Sequence, residues 1–587
     1  MKLSVWAPLA KAVEVDLAGK RLPLERGERG LWQVDVPVTS LVDGYRFSID
    51  GGAPFPDPRS RWQPRGVHGP SHPIDEVALR RFHHAKFRPI PWREAIVYEL
   101  HLGTFTPEGT YAAAQAKLPH LASLGVTHVE LMPLATFPGR HGWGYDGVAL
   151  YAPHPAYGTP EQLAAFVGAC HGHGLAVLLD VVYNHFGPDG NHAPQFAPYL
   201  TDRWKTPWGA AVNYDGEYSD GVRNFIIENA LMWLRDYGFD GLRLDAVHSI
   251  FDMSAMHVLE ELAEAVTVLG GELGREFVLV AESDLNNPRF VLPPEQGGYG
   301  LRAHWCDDFH HALHAFLTGE RDGYYADFGS LAQLATALHD GYVYQGQYSE
   351  FRKRRHGRAP RGIAPHQLVV CSQNHDQIGN RAAGERLNHL LAPHQLRAAA
   401  ALTLLSPFTP LLFQGEEWAA STPFLYFTDH QDPRLARAVT EGRRKEFESF
   451  TWKVEVSDPQ SAETFARSKL KWDELDEQSH AAMLAWYRRL ISIRHEHLTR
   501  VRSSADVVTP TPPEVHFDEG ARWLVWCHGD VFVACNFSEQ EAPLTFPPGT
   551  WRVALAEPEL PSAGAALPRH ATIVFVRSPL ATAASIT

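Results

Sequence analysis

The chain has 587 residues, of which 44% are hydrophobic and 21% charged, and its formal net charge at pH 7 is −15. This length exceeds that of one ordinary domain, and the composition is that of a folded globular protein, which excludes a largely disordered chain. The negative charge disfavours nucleic acids and anionic membranes as partners, whereas a neutral substrate is indifferent to it.

Residues 1–88 are predicted to form a small β-sandwich of the immunoglobulin-like or carbohydrate-module type. Short alternating segments at Val13–Leu17, Leu31–Val36 and Tyr45–Ile49 are separated by glycine-rich turns. A proline-rich connector follows at residues 54–73. This part of the sequence holds no cluster of catalytic side chains, so we expect an accessory role for it.

Apolar runs of strand length alternate with amphipathic segments of helix length over residues 89–500. The predicted strands are Ala95–Leu100, Val126–Met132, Ala176–Val182, Gly241–Leu244, Phe277–Ala281, His304–Cys306, Leu368–Cys371 and Pro410–Phe413. The predicted helices lie near residues 112–124, 160–174, 222–236, 254–269, 329–338, 393–405 and 478–496. Near-continuous apolar strands indicate a parallel sheet buried on both faces, and eight such units are typical of an α/β fold with a (β/α)8 (TIM) barrel.

A doubly wound parallel sheet is the competing arrangement, but it requires a reversal of strand order that the sequence does not reveal. The sequence shows no glycine-rich loop of the Rossmann or Walker type, which disfavours nucleotide binding. Residues 501–587 return to short strands and are predicted to form a C-terminal β-sandwich. Its predicted strands are Asp506–Val508, Glu514–Phe517, Trp523–Cys527, Val531–Asn536, Trp551–Leu555 and Ile573–Val576. The alanine-rich tail after Ser578 is expected to fray.

The five cysteines are scattered, odd in number and form no CxxC pair. This usage fits reduced thiols in a cytoplasm better than a disulfide framework. The amino terminus lacks the apolar core of a secretion signal, and no apolar run has the length needed to cross a bilayer. We therefore expect a cytoplasmic protein, and we expect it to be a monomer.

Arg243 and Asp245 stand two positions apart at the end of the predicted strand Gly241–Leu244, so they share one face. A guanidinium beside a carboxylate favours the ionised form, which makes Asp245 a candidate nucleophile. A purely structural ion pair explains these two residues equally well. The strand-end residues elsewhere in the barrel decide between the two interpretations.

Four of the predicted barrel strands lead into acidic, amide or imidazole side chains at what would be one rim. These are Asp180 and His185 for the third strand, Asp245 and His248 for the fourth, Glu282 for the fifth, and Asn374, His375 and Asp376 for the seventh. Each residue alone has a structural interpretation as a cap, a hydrogen-bonded core histidine or a turn residue. For Asp180 a pairing role inside the barrel and a direct role stay equally open. The occurrence of all these residues at the ends of four strands favours a catalytic site.

The segments 180–185, 241–248, 281–282 and 374–376, in this order, resemble the α-amylase superfamily of glycoside hydrolases and transglycosylases. The resemblance spans the whole barrel. It implies that Asp245 is the nucleophile, Glu282 the general acid/base and Asp376 the third carboxylate that supports the transition state. It also implies contacts with the sugar before the cleaved bond, made by Tyr145, Asp146, His185, Arg243 and His375.

Elementary chemistry agrees with these roles. Cleavage of a glycosidic bond needs one carboxyl group that protonates the leaving oxygen and another that attacks the anomeric carbon, roughly 5–5.5 Å apart in a retaining enzyme. Glu282 must hold its proton near neutral pH, so we predict an upward pKa shift from burial and neighbouring carboxylates.

Further stretches resemble the members of the superfamily that hydrolyse the α-1,4 bond next to the trehalose end of a malto-oligosyltrehalose. They include residues 56–64, 137–148, 306–314, 323–329, 348–352 and 413–418. The resemblance implies a malto-oligosyltrehalose substrate, with trehalose and a malto-oligosaccharide as products. We predict further substrate contacts by Trp208, His248, Asp307, Asp308, His310, His311, Phe351, Arg352, Gln377 and Asn380. The aromatic members of this set could equally be loop core.

His310 and His314 are four residues apart, but the glutamate that a zincin-type site places after its first histidine is replaced by His311. We therefore predict no metal site and no cofactor. Two alternatives to the trehalose-releasing hydrolase stay open. One is a glycogen branching or debranching enzyme of the same superfamily. The other is a non-catalytic carbohydrate-binding protein built on the same barrel.

Overall fold

The computed structural model describes residues 1–447, 456–498, 513–558 and 566–578. The N-terminal region forms two antiparallel sheets whose inner faces contribute to one core. In spatial order, one sheet contains Lys2–Trp6, Leu31–Asp35 and Glu25–Arg26, and the other contains Lys20–Pro23, Val13–Leu17, Arg46–Ile49 and Pro54–Phe55. Val13, Val15 and Leu17 are buried while the intervening acidic residues are less so, as the alternating pattern predicts.

Eight parallel strands close into a barrel in which each strand pairs with the next along the chain and the last pairs with the first. They are β1 (Val97–Leu100), β2 (His128–Leu131), β3 (Ala176–Val181), β4 (Gly241–Leu244), β5 (Val278–Ala281), β6 (Ala303–Trp305), β7 (Leu368–Cys371) and β8 (Thr409–Phe413). Nearly every residue of these strands is buried, as expected for a parallel sheet covered on both faces. The predicted (β/α)8 barrel is therefore confirmed, and the doubly wound sheet is excluded.

Helices surround and connect the strands. They are Glu76–Arg80, Leu102–Phe105, Tyr111–Gln115, Leu118–Leu124, Pro160–Gly172, Ser219–Asp236, Val258–Leu273, Asp307–Thr318, Leu331–Asp340, His375–Gly379, Leu387–Leu390, Pro393–Leu404, Pro433–Phe447, Ala462–Arg467 and Gln478–His497. The single helix predicted near 112–124 was wrong, because Pro119 starts a second helix in the middle of it. The helices at 307–318 and 433–447 were not predicted from the periodicity.

Three two-stranded hairpins rise from the loops. They pair Ala135–Thr136 with Ala149–Pro153, Leu200–Thr206 with Gly209–Val212, and Gln345–Ser349 with Arg354–Gly357. The turn of the second hairpin carries Trp208, and the turn of the third carries Phe351 and Arg352. The predicted aromatic walls therefore lie at hairpin tips.

The C-terminal region contains a five-stranded antiparallel sheet and a two-stranded one. The larger sheet has the order Glu514–Asp518, Trp523–His528, Val531–Asn536, Thr572–Arg577, Trp551–Glu557, and the smaller pairs Ala542–Pro543 with Ala566–Leu567. The predicted strand Asp506–Val508, the boundary at 500 and the tail after Ser578 lie outside the described residues.

The flanking regions are tied to the barrel by charged contacts. Glu519 of the C-terminal region accepts hydrogen bonds from the backbone N–H groups of Leu331 (3.0 Å) and Ala332 (2.9 Å). These are donors that helix Leu331–Asp340 leaves unpaired at its start, so a carboxylate of the C-terminal region caps that helix. On the N-terminal side, Arg61 contacts buried Asp236 at 3.2 Å. Among the described helices, none is both long enough and apolar enough to span a bilayer.

Candidate active site

Arg243 contacts carboxyl groups that belong to three strands at the carboxyl end of the barrel. Its Nη1 donates to Asp245 Oδ1 at 2.7 Å and to Asp180 Oδ2 at 2.8 Å, and its Nη2 lies 3.7 Å from Glu282 Oε2. The guanidinium is buried and stands over the Trp305 ring, 4.3 Å from its centroid. Because the barrel strands are parallel, these side chains share one rim, and a single cation holds them together.

Asp245 follows β4 directly and is held by two donors. Besides Arg243, the Asn184 amide donates to Asp245 Oδ2 at 2.8 Å and to its backbone carbonyl at 2.7 Å. Both donors pair with the carboxylate oxygens and fix the direction of the side chain. An oriented, ionised carboxylate is the chemical requirement for a nucleophile at an anomeric carbon.

Glu282 follows β5 and differs from Asp245 in its electrostatics. Burial raises its pKa well above the ordinary value, Arg243 counteracts this, and the charges of Asp245, Asp307 and Asp376 raise it further. The Ala246 backbone N–H donates to Glu282 Oε2 at 2.5 Å. A carboxyl group that keeps its proton near neutral pH, beside one that is ionised, is the pairing that general acid catalysis and nucleophilic attack require.

Asp376 lies in the short helix His375–Gly379 after β7 and is exposed. Asn380 Nδ2 donates to Asp376 Oδ1 at 2.6 Å and so orients it. The Asp376 charge raises the pKa of Glu282, which places it within electrostatic reach of that group. The structure therefore brings the three predicted catalytic carboxylates to the same end of the barrel.

A chain of hydrogen bonds joins the predicted sugar-binding residues. The Tyr145 hydroxyl donates to Asp180 Oδ2 at 2.6 Å and lies 2.8 Å from His375 Nε2. Glu99 of β1 accepts the His375 backbone N–H at 2.9 Å and also contacts His375 Nδ1. Glu99 was missed by the sequence reasoning. A lone carboxylate in an otherwise apolar barrel strand is the signal that could have found it.

One side of the cleft is aromatic. The exposed Trp208 ring stacks on His185, with centroids 4.8 Å apart and an interplanar angle of 17°. His185 Nε2 lies 3.1 Å from the Tyr145 carbonyl oxygen. Asp146 lies next to Tyr145, where burial raises its pKa and His430, at 3.7 Å, counteracts the shift.

The hairpin turn at 351–352 contacts the segment that follows Glu282. Phe351 is 45% exposed, and Arg352 Nη2 donates to Asp284 Oδ2 at 3.1 Å. Asp307 begins the helix after β6. Burial, followed by the charges of Asp284 and other neighbouring carboxylates, raises its pKa to about 7. His248 is half-buried, and its Nδ1 has no hydrogen-bond partner within the described protein.

The structure gives three predicted contact residues a different setting. Asp308 Oδ2 accepts hydrogen bonds from Asn286 and from the backbone N–H groups of Val343 (2.8 Å) and Tyr344 (2.7 Å). His310 and His311 are buried, with their Nδ1 atoms 3.1 Å apart. Their burial sets these three residues apart from the exposed residues of the rim, and their roles as substrate contacts stay predictions.

Gln377 is also buried, and its backbone N–H donates to Asn374 Oδ1 at 2.8 Å. His314, the other half of the spacing that suggests a metal site, pairs with Glu320 at 2.8 Å. Within the parts of the chain that the structure describes, no group of three or more His, Cys, Asp or Glu side chains is arranged to hold a metal ion.

Family models match two parts of the chain. The α-amylase catalytic domain matches residues 80–196, and a domain of unknown function, DUF3459, matches residues 514–574. The crystal structure of a protein described as an α-amylase from Salmonella typhimurium superposes with a TM-score of 0.89 at 40% identity, covering 98% of this chain and 97% of that one.

Curated relatives narrow the family. The chain is 47% identical to malto-oligosyltrehalose trehalohydrolase of Rhizobium sp. (strain M-11), over 93% of this chain and 92% of that protein. It is 50% identical to malto-oligosyltrehalose trehalohydrolase of Arthrobacter ramosus, over 84% and 87%. A 1,4-α-glucan branching enzyme of Bacillus cereus (strain AH187) is 30% identical over only 52% of each chain, so the branching alternative is not favoured. With the carboxylates held on one barrel rim and these relatives matching over most of its length, the chain belongs to the malto-oligosyltrehalose trehalohydrolase family of glycoside hydrolases, within the α-amylase superfamily.

Proposed function

We propose that this protein hydrolyses the α-1,4-glucosidic bond next to the trehalose end of a malto-oligosyltrehalose, releasing trehalose and a malto-oligosaccharide. The observation that carries the proposal is the Arg243 guanidinium that contacts both Asp245 and Glu282. It sets the Asp245 carboxylate beside the Glu282 carboxyl group, whose pKa burial raises. The names of the relatives at 47% and 50% identity supply the substrate.

In the first step Asp245 attacks the anomeric carbon while Glu282 gives its proton to the leaving oxygen of the trehalose unit. The bond between the anomeric carbon and that oxygen breaks, trehalose leaves, and a glycosyl–Asp245 ester remains. In the second step Glu282, now a carboxylate, takes a proton from water. The water oxygen attacks the anomeric carbon, Asp245 is released, and the configuration at that carbon is retained.

The supporting residues act on the charge that develops in both steps. Asp376, exposed and oriented by Asn380, supports the positive charge on the sugar ring. Arg243 pairs with the Asp245 carboxylate before the attack and stabilises the charge that returns to it when the ester bond breaks. Tyr145 and His375 hold the sugar before the cleaved bond, together with Asp146 and His185.

Two hairpin turns supply the walls for the trehalose end. Trp208 presents an exposed ring that is already stacked on His185, a geometry suited to the apolar face of a pyranose. Phe351 and Arg352 lie in the turn of the third hairpin, where the Asp284 contact holds the guanidinium next to the segment that follows Glu282. We propose these residues, with Asp307 and His248, as the substrate contacts around the cleaved bond.

The test is a product analysis on a defined malto-oligosyltrehalose. We expect free trehalose and a shortened malto-oligosaccharide from the wild-type chain. New α-1,6 branches would instead support a branching enzyme, and binding without any product would support a carbohydrate-binding protein.

Matched variants test the residue roles. Asp245→Ala and Glu282→Gln should each lower turnover by at least about 10³-fold while the thermal midpoint shows that the fold persists. Wild-type-like turnover in either variant would refute the assignment.

We also propose that the enzyme is a cytoplasmic monomer that binds neither nucleic acids nor membranes. The net charge of −15 supports the second part of this proposal, because it repels phosphate-rich surfaces. The five cysteines are free thiols, which suits a reducing compartment. Light scattering after size exclusion measures the oligomeric state, and a dimer mass would overturn the monomer.

A further inference from the structure

Glu99 is a buried carboxylate whose two oxygens both contact the same residue, His375. It is the third residue of β1 and is 1% exposed. One oxygen contacts His375 Nδ1, and the other accepts the His375 backbone N–H at 2.9 Å. His375 follows β7, and β8 separates β7 from β1 in the barrel, so this contact reaches across a strand. An unpartnered carboxylate at this depth would be costly, so its position is set by His375.

The contact of His375 Nε2 with Tyr145 shows that this nitrogen also carries a proton. His375 Nε2 lies 2.8 Å from the Tyr145 hydroxyl, which donates its proton to Asp180 Oδ2 at 2.6 Å. Burial raises the pKa of Tyr145 well above its ordinary value, so the hydroxyl keeps its proton. Its oxygen then accepts from Nε2–H, while Nδ1–H donates to Glu99. Both ring nitrogens act as donors, which is the pattern of an imidazolium.

We propose that Glu99 is a positioning residue that holds His375 as an imidazolium and fixes its ring at the active-site rim. The inference rests on the proposed function of this rim, because His375 is there a contact of the sugar before the cleaved bond. Through Tyr145 and Asp180 the fixed ring is joined to Arg243, and through Arg243 to Asp245. Glu99 is therefore the last member of a series of hydrogen bonds that orients the nucleophile Asp245.

The charges around His375 agree with this assignment. The titratable and charged groups that face it are Glu99 and His101 from β1 and its following loop, Tyr145, Asp180, Arg243, and Asp376 on its own helix. Burial alone would lower the pKa of His375. The Glu99 charge and hydrogen bond outweigh burial and raise the pKa, Asp376 adds to this, and Arg243 opposes it.

The test is the pH dependence of kcat/KM in Glu99→Gln. The amide keeps the size of the side chain but removes the charge, so burial is left to lower the pKa of His375. We expect activity to fall on the alkaline side at a lower pH than in the wild type, by about tenfold for each pH unit above the new His375 pKa. Glu99→Asp keeps the charge and should show a smaller displacement in the same direction.

Glu130→Gln is the matched control. Glu130 lies on the neighbouring strand β2 and is equally buried, but its Oε1 has no hydrogen-bond partner within the described protein. Burial, followed by the charges of Glu99 and Asp180, raises its pKa well above the ordinary value, so replacing it with an amide perturbs the charge around His375 less than Glu99→Gln does. We expect a wild-type pH profile from this variant.

A wild-type pH profile in Glu99→Gln would overturn the proposal. So would a loss of activity by the same factor at every pH, because that is the mark of a merely structural residue. If Glu99→Gln does not fold, the Glu99→Asp profile decides, and an undisplaced profile there overturns the proposal. All variants are compared on whatever product the wild-type chain releases. A wild type that releases no trehalose therefore counts against the proposed function and not against Glu99.

Discussion

Replacing Asp180 with asparagine should stabilise the folded chain at about pH 8 and change its stability little at about pH 4. Asp180 is buried, and burial raises its pKa to about 6 from 3.8 although Arg243 opposes the shift. A carboxyl group whose pKa is raised by folding contributes stability below its unfolded pKa. It loses that contribution as the pH rises through the folded value. The amide removes this loss because it never ionises.

The magnitude follows from the shift and from the geometry. About two pKa units correspond to about 3 kcal/mol at about pH 8, and to less than about 1 kcal/mol at about pH 4. Both donors, Tyr145 and Arg243, bind Oδ2, whereas Oδ1 has no partner within the described protein. An asparagine oxygen in the place of Oδ2 therefore keeps both hydrogen bonds. For 587 residues, 3 kcal/mol raises the thermal midpoint by roughly 2 °C.

Calorimetry of the variant and the wild type between about pH 4 and about pH 8 measures the effect. Asp240→Asn is the control of opposite sign. Asp240 accepts hydrogen bonds from His171 (2.9 Å), Val177 N–H (2.8 Å) and Arg275 (2.6 Å). Burial would raise its pKa, but the His171 hydrogen bond and the charges around it lower the pKa instead. Its contribution is present above the unfolded pKa, so this variant should lose stability at about pH 8. An Asp180→Asn effect that does not grow with pH would refute the reasoning.

Three further predictions follow from single contacts. Activity should fall on the alkaline side as Glu282 loses the proton that burial retains, and a kcat/KM profile that stays flat to about pH 10 would contradict its role as the acid. Trp208→Ala should raise KM about tenfold, which is about 1.4 kcal/mol, without changing the thermal midpoint, because the ring is exposed and stacks on His185 at the rim. Asp308→Ala should lower the free energy of unfolding by about 1–3 kcal/mol, measured by calorimetry, because the backbone N–H groups of Val343 and Tyr344 lose their acceptor. An unchanged midpoint would contradict it.

The barrel was predictable because its signals are local. Each parallel strand has the pattern of a short apolar run, and both ends of all eight observed strands lie within two residues of the predicted bounds. The helix predicted near 112–124 failed because Pro119 was overlooked as a start signal. The helix at 307–318 was missed because His310, His311 and His314 occupy buried positions where the apolar pattern of a helix expects hydrophobic residues.

The site was predictable only where residues follow the end of a strand. Arg243, Asp245 and Glu282 come together because parallel strands end at one rim, which is a rule that the sequence can use. The contact between Glu99 and His375 joins residues 276 positions apart and depends on barrel closure, which no local pattern encodes. The burial of His310 likewise depends on which side of its helix faces the Tyr325 ring, 6.0 Å away.

The contact between Glu519 and the start of helix Leu331–Asp340 also bears on the proposed substrate contacts. That helix is followed in the chain by the hairpin whose turn carries Phe351 and Arg352, the proposed substrate contacts. Removing the C-terminal region, or grafting one from a relative that lacks an acid at this place, would loosen the entrance for the disaccharide while leaving the reacting carboxylates untouched. Chimeras within the family should therefore differ first in substrate preference and only later in intrinsic turnover.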